Sequence, residues 1–328
     1  MKILLTGCAG FVGWKTGERL LGEGHSIIGL DNLNDYYPVE LKNWRVRQLE
    51  EQGGENFRFI HGELGDTALL DRLFQEHQPD AVINLAARAG VRPSIEQPQL
   101  YLETNLTALV GLMDTMVRFG VKKLVQASSS SVYAGQPAPF SEDQPVDRPL
   151  SPYAAAKKAS EVMTYTYHHL HGLDVSLVRY FTVYGPAGRP DMSPLKFVHR
   201  IASGKSFPLY GDGEQRRDFT YVDDIASGTV AALKPLGYEI INLGGGNEPV
   251  SINYMIELIE QYTGKKALID QQAWNPADMR DTSADISKAR RLLDWEPETP
   301  PQAGFRALVD WYQQEASWLA PLLDELTD

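Results

Sequence analysis

Cysteine is almost absent from this sequence: Cys8 is the single one in 328 residues. That excludes an intrachain disulfide framework and any thiolate metal cluster. Positive charge is also in deficit, with 31 Lys and Arg against 43 Asp and Glu, for a formal net charge of −12. A chain this acidic is not built for nonspecific binding to nucleic acid or to an anionic membrane surface, and neither is expected as a partner. An anionic small molecule stays admissible, because local arginines and helix N-termini act at short range. No apolar run approaches the roughly 18 residues of a membrane span. The opening Met1-Lys2-Ile3-Leu4-Leu5-Thr6-Gly7 is far shorter than a signal-peptide apolar region, so a soluble cytoplasmic protein is expected. Internal repeats, low-complexity tracts and a Gly-x-Ser-x-Gly elbow are missing as well. His168, His169 and His171 have no evident carboxylate partner, and they read as solvated residues rather than a metal site.

What is present is an ordinary globular composition, 43% hydrophobic and 23% charged, which argues against disorder. Short apolar runs at Ile3–Leu5, Ile27–Leu30, Phe57–Ile60, Ala81–Leu85 and Leu124–Ala127 read as buried strands. Amphipathic segments near Trp14–Leu21, Leu41–Leu49, Ala68–Glu76 and Leu100–Val117 lie between them. Strand and helix in alternation predict an α/β fold, a doubly wound parallel sheet of Rossmann type covered on both faces. Beyond residue 180 the rhythm is broken by Gly185, Pro186, Gly188, Pro190, Pro194, Gly204 and Pro208. The expected division is therefore a dinucleotide-binding domain over 1–180 and a smaller C-terminal substrate-binding lobe over 181–328, with some chain returning to the first domain. Tyr101–Val117 and Pro152–Leu170 carry more apolar residues than one sheet contact buries, which predicts a homodimer through a helical interface.

Thr6-Gly7-Cys8-Ala9-Gly10-Phe11-Val12-Gly13 follows the first strand and opens the first helix. Its glycines permit a tight turn and let backbone N–H groups approach a pyrophosphate. The spacing is Gly-x2-Gly-x2-Gly rather than the commoner Gly-x-Gly-x2-Gly. Asp31 ends the second strand, 18 residues beyond Gly13. A carboxylate there accepts hydrogen bonds from adenosine ribose hydroxyls and repels a 2′-phosphate, so NAD is expected over NADP. Cys8 reads as a small buried filler.

Ser151-Pro152-Tyr153-Ala154-Ala155-Ala156-Lys157 holds the most chemistry per residue. Ser151 suits an N-cap and Pro152 the first helical position, which puts Tyr153 and Lys157 four apart on one face. The ammonium and the positive helix end both favour a phenolate, so the Tyr153 pKa is expected to fall toward the working range. Tyr153 is then a general base for an alcohol proton. Upstream, Ser128-Ser129-Ser130-Ser131 sits at the carboxyl end of the fifth strand, where a hydroxyl can relay a proton.

With the glycine turn, Asp31, the serine run and Tyr153-x3-Lys157 assembled, the chain resembles the extended short-chain dehydrogenase/reductases over nearly its whole length. Within them it looks most like the UDP-glucuronate 4-epimerases, relatives of the UDP-galactose 4-epimerases. The residues behind that are Ala89-Gly90-Val91-Arg92, Ser128–Tyr133, and Arg179-Tyr180-Phe181-Thr182-Val183-Tyr184-Gly185-Pro186-Ala187-Gly188-Arg189-Pro190-Asp191-Met192. Glu214–Asp224 matches a broader nucleotide-sugar signature.

The resemblance implies an isomerase that binds NAD and a UDP-sugar. Tyr153 would be the base, Lys157 its tuner and nicotinamide-ribose ligand, and Ser129 the relay. Gly7, Gly10, Phe11, Val12, Gly13, Asp31, Asn32, Asn34, Glu63, Leu64, Ala86, Asn105 and Tyr180 would contact the cofactor. Ser128, Ser130 and Thr182 would flank the sugar carboxylate, with Arg189 nearby. Arg217, and secondarily Arg280, would meet the diphosphate, Asp278 the uridine ribose, and Arg92 the substrate. Thr182 stands where the galactose enzymes usually carry asparagine. Three departures are visible: Ala187 replaces a usual tryptophan, Glu63 a common aspartate, and Asn275-Pro276-Ala277-Asp278 lacks a usual glycine. A UDP-glucuronate decarboxylase and a 4-epimerase of neutral UDP-hexoses or N-acetylhexosamines share the same cofactor residues and stay open. A catalytically silent NAD-sensing protein is the reading from another class.

Overall fold

The computed structural model describes residues 1–246, 249–274 and 280–326. Six strands and seven helices fill the first 180 residues. The strands are β1 (Lys2–Thr6), β2 (Ser26–Asp31), β3 (Phe57–His61), β4 (Ala81–Asn84), β5 (Lys123–Ser129) and β6 (Asp174–Tyr180). The helices are α1 (Phe11–Gly22), α2 (Val39–Gly53), α3 (Thr67–His77), α4 (Val91–Glu96), α5 (Pro98–Leu102), α6 (Ala108–Phe119) and α7 (Pro152–His171). Then come β7 (Thr182–Tyr184), α8 (Ser193–Ser203), β8 (Ser206–Tyr210), β9 (Arg216–Arg217), β10 (Phe219–Tyr221) and α9 (Val222–Ala231). The chain ends with β11 (Tyr238–Leu243), β12 (Val250–Ser251), α10 (Ile252–Thr263), β13 (Leu268–Gln272), α11 (Ser287–Leu293) and α12 (Pro301–Glu325).

Seven strands form one sheet in the order β11-β6-β5-β4-β1-β2-β3, and every pair is parallel. The expected doubly wound sheet is therefore observed. The alternation of side chains along each strand explains its two covers. Ile3, Leu5, Ile27, Ile83, Val125, Val178 and Ile241 face one core, with Leu20 of α1 and Leu41 and Leu49 of α2. Leu4, Ile28, Val82, Leu124, Val175 and Leu177 face the other, with Leu70 and Phe74 of α3 and Leu109, Leu112 and Met113 of α6. The chain winds from β1 outward through β2 to β3, then crosses to β4 and winds the other way. The crevice beyond the carboxyl ends of β1 and β4 is the topological switch point, where such sheets place ligands.

Beyond Tyr180, β11 pairs with β6 along its whole length, and α9 packs on α1. The remainder builds three two-stranded sheets, β10–β7, β12–β9 and β13–β8, with α8, α10 and α12 packed together.

The helix expected over Leu100–Val117 is interrupted. A π-helical turn at Glu103–Thr107 separates α5 from α6. The expected surplus of apolar residues is mostly absorbed within the subunit, since Leu109, Leu112, Met113 and Met116 are fully buried against α3 and the sheet. Leu102, Val162 and Tyr165 stay exposed, at 44%, 55% and 55%. Among the described residues no helix is long and apolar enough to cross a membrane.

Candidate active site

The turn after β1 is shaped by backbone contacts that leave no room for side chains. Gly7 has φ +69°, and a Cβ on it would lie 2.6 Å from the Ala86 nitrogen. A Cβ on Gly13 would lie 2.0 Å from the Gly7 carbonyl oxygen. Helix α1 thus packs directly on the turn, and its N-cap, Gly10, offers no side-chain acceptor to the first-turn N–H groups. Those groups and the helix dipole point toward the crevice, a ready anion site. Cys8 behind the turn is completely buried, and burial pushes its thiol up, so it is an inert filler.

Asp31 closes β2 with both carboxylate oxygens engaged: Ala9 N donates to Oδ2 at 3.1 Å and Leu33 N to Oδ1 at 2.9 Å. Beside it, Asn32 Nδ2 donates to Glu63 Oε1 at 2.7 Å. Lys42 from α2 reaches the same end of the cleft, donating to the Asn34 side-chain oxygen at 3.0 Å and lying 4.6 Å from the Tyr37 ring centroid. Burial pulls its pKa down to about 8, with Asp31 pulling the other way.

At the other end, α7 begins as its sequence requires. Ser151 Oγ accepts from Ala154 N at 3.1 Å, Pro152 occupies the first turn, and Gly172 in the left-handed region closes the helix. Tyr153 and Lys157 consequently share one buried face under the serine run, and Tyr153 is hydrogen-bonded to Ser129. The direction of the Tyr153 shift differs from expectation. Burial pushes its pKa up, while the Ser129 bond and the Arg189 charge pull it down. The Lys157 Nζ donates instead to the Ala127 carbonyl at 3.0 Å. Burial lowers Lys157 itself to about 8, partly opposed by Glu161.

One cleft of about 410 Å³ joins both ends. Its walls include Gly7, Gly10, Phe11, Val12, Gly13, Asp31, Asn32, Asn34, Glu63, Leu64 and Ala86. They also include Ser128, Ser129, Ser130, Tyr153, Lys157, Tyr180, Thr182 and Arg189.

A family model described as NAD dependent epimerase/dehydratase matches residues 3–244. The chain belongs to the NAD-dependent epimerase/dehydratase family. It is 55% identical to a UDP-glucuronate 4-epimerase of Thermodesulfobacterium geofontis, over 95% of this chain and 96% of the relative. The UDP-glucuronic acid 4-epimerase of Bacillus cereus, crystallised with UDP-glucuronic acid and NAD, superposes with a TM-score of 0.89 at 36% identity. That match covers 96% of this chain and 100% of the other. A UDP-glucose 4-epimerase of Thermotoga maritima, crystallised with UDP-glucose, has a TM-score of 0.85 at 28% identity, covering 96% and 100%.

Four sequence-predicted residues lie off the walls of this epimerase-family cleft. Asn105, inside the π turn, uses its side chain on the Arg88 backbone, accepting from Arg88 N at 2.8 Å and donating to Arg88 O at 2.9 Å. It braces the wall segment Ala86–Val91 from behind. Arg92 lies 5.2 Å from the ring centroid of Tyr210 on β8. Arg217 on β9 donates to the Arg280 carbonyl at 3.2 Å, so those two arginines are neighbours. Asp278 lies outside the described residues. Ser128 faces the cleft, yet its hydroxyl donates to Glu161 Oε1 at 2.7 Å. Against the opposing effect of burial, Arg179 and Ser128 hold Glu161 below the usual carboxylate range.

Sequence reasoning missed Lys42, Tyr36, Arg88 and Arg45. The first three line the cleft. Lys42 and Arg45 fall on α2 at helical spacing from buried Leu41 and Leu49, so charge on an inward face was the available signal.

Proposed function

We propose that this chain interconverts UDP-glucuronate and UDP-galacturonate at C4 with NAD as bound cofactor. The observation that carries this is a single cleft in which Tyr153 and Ser129 face the same space as the glycine turn, Asp31, Thr182 and Arg189. The UDP-glucuronate 4-epimerase names of the relatives support it, as does the neighbour's complex with UDP-glucuronic acid and NAD.

The residues fit NAD. The turn at Gly7 and Gly13 is filled by backbone where a Cβ would sit, leaving N–H groups for a pyrophosphate. Asp31 is a ribose acceptor, with Lys157 and Tyr153 at the opposite end. When bound, NAD supplies the hydride acceptor and donor at C4, which keeps the net reaction redox-neutral. Tyr153 Oη takes the 4-hydroxyl proton through Ser129 Oγ and later returns it. Arg189 attracts the phenolate and so offsets part of the burial effect. The 4-keto uronate is a β-keto acid, and it loses CO2 if its carboxylate aligns with the carbonyl π system. Ser130, Thr182 and Arg189 are assigned to hold the carboxylate out of that alignment.

Arg217, Arg280 and Asp278 are assigned to the UDP moiety, in a lobe contributed mainly by 181–328, and Arg92 to the substrate. Leu102, Val162 and Tyr165 are assigned to a homodimer face on the α5–α7 surface, and Leu102→Glu with Val162→Glu should give a one-subunit sedimentation mass. A cytoplasmic location is the companion assignment.

Proton NMR of UDP-glucuronate with purified protein and no added NAD tests the function. UDP-galacturonate without a pentose is expected. A UDP-pentose would make the chain a decarboxylase, and inertness even with added NAD would remove the uronate assignment.

A further inference from the structure

Arg45 of α2 is completely buried, and among the described residues no carboxylate faces its guanidinium in a hydrogen bond. Its five N–H donors make five hydrogen bonds instead. Nη1 donates to the Ala9 carbonyl at 2.9 Å and to Tyr37 Oη at 2.7 Å. Nε and Nη2 donate to the Ala187 carbonyl at 3.2 and 2.7 Å, and Nη2 also to the Gly188 carbonyl at 3.2 Å. One rigid fork therefore ties the phosphate turn, through Ala9, to the segment that carries Arg189.

That segment needs holding. Ala187 sits at φ +51°, a backbone region unfavourable to an alanine, and it is Ala187 O that receives two of the bonds. A Cβ on Gly188 would lie 3.8 Å from Phe11 Cζ, so the segment already rests on the first residue of α1. Next in sequence, Arg189 donates to Asp191 Oδ2 at 2.6 Å and stands 5.4 Å from the ring centroid of Tyr36, the neighbour of Tyr37. A lysine cannot reproduce the span, because one ammonium cannot serve acceptors on two sides of a planar fork.

We propose that Arg45 is a positioning residue that keeps the Ala187–Arg189 segment in register with the phosphate turn and so aims Arg189 at the sugar. The proposal rests on the reading that Arg189 meets the substrate carboxylate. Arg45 is not among the residues that line the cleft, and its effect falls mainly on the sugar-dependent part of binding, with a smaller one on the cofactor through Ala9.

The test uses full-length Arg45→Lys, Arg45→Gln and Tyr37→Phe. Calorimetry with NAD present gives the affinities for UDP-glucuronate, UDP-glucose and UDP, and fluorescence titration gives the affinity for NADH. In the Arg45 variants UDP-glucuronate should weaken by roughly tenfold while UDP changes less than about twofold, because three of the five lost charge-assisted bonds, those to Ala187 and Gly188, lie on the sugar side. NADH should weaken several-fold, since Ala9 loses its partner. Tyr37→Phe removes one acceptor and should show the same pattern at about two- to threefold. It decides the matter if the Arg45 variants fail to fold. Equal weakening of UDP and UDP-glucuronate, or unchanged binding of all ligands, would reduce Arg45 to a structural staple and overturn the proposal. A wild-type protein that binds UDP-glucuronate no better than UDP-glucose would instead remove the function reading. The gap between sugar nucleotide and UDP would still decide the role of Arg45.

Discussion

Lys157→Met should make the cofactor-stripped protein more stable while abolishing its activity. Lys157 is 3% exposed, and burial lowers its pKa from 10.5 to about 8. For a base whose folded-state pKa is lowered, the folded state binds protons less readily than the unfolded one. The cost is therefore complete below about pH 8 and disappears as pH rises from there toward 10.5. At about 1.36 kcal/mol per unit, the penalty at pH 7 is roughly 3 kcal/mol, falling to roughly 1 kcal/mol by pH 9.5. Methionine fills a similar volume without charge. It forfeits the bond to Ala127 O, but Gln126 Nε2 also donates to that carbonyl at 3.0 Å, so the acceptor is not orphaned. Allowing about 1 kcal/mol for the lost bond leaves a gain near 2 kcal/mol, or about 4 °C in melting temperature for a chain of this size. Thermal melts of both proteins at pH 7 and 9.5 measure it. A variant that melts at or below wild type at pH 7, or an advantage that does not shrink by pH 9.5, would refute the reasoning.

Tyr153→Phe should lower kcat by about a thousandfold or more with the melting temperature within a few degrees, since its one identified hydrogen bond is to Ser129. Single-turnover kinetics on UDP-glucuronate with a parallel melt check both halves. Gly13→Ala drives a methyl into the Gly7 carbonyl and should cost several kcal/mol while removing NADH binding, read by denaturant titration and fluorescence. Arg189→Met should lower kcat/KM for UDP-glucuronate about a hundredfold and that for UDP-glucose much less, in a coupled assay of both sugars. Lys42→Met should weaken NADH about tenfold, because a cation whose hydrogen bonds among the described residues go to neutral Asn34 oxygens at the cleft wall is available to an anion.

The sheet was legible because five apolar strands alternate with amphipathic segments, and strand periodicity survives any later packing. The glycine turn and Asp31 were legible for a related reason: backbone clearance demands glycine at fixed offsets from the strand ends. Helix α7 announced itself through Ser151 and Pro152, which fix its start and hence the phase of Tyr153 and Lys157. What the sequence could not carry was the direction in which groups act. Lys157 was expected to lower Tyr153, whereas its ammonium points to Ala127 O and Arg189, 36 residues on, is the cation that acts. Asn105 was assigned to the cofactor, but a π turn within an apparently continuous helix rotates it onto the Arg88 backbone. Ser128 and Ser129 are adjacent in sequence and opposite on the strand, so one hydroxyl meets buried Glu161 and the other Tyr153. Such assignments depend on contacts distant in sequence, which local patterns do not encode.

The return of β11 to pair with β6 fixes how this molecule can be taken apart. The chain leaves the sheet after Tyr180, comes back through α9 and β11, and leaves again after Leu243. Cutting at residue 180 would strip β6 of its neighbour β11 and expose a row of unpaired strand groups, turning the excised half into an aggregation template. A chimera that borrows the sugar side of another epimerase therefore needs three junctions, near residues 181, 222 and 244, rather than one C-terminal fusion. Altered sugar preference is more accessible by exchanging loops between β6 and α9 than by exchanging halves.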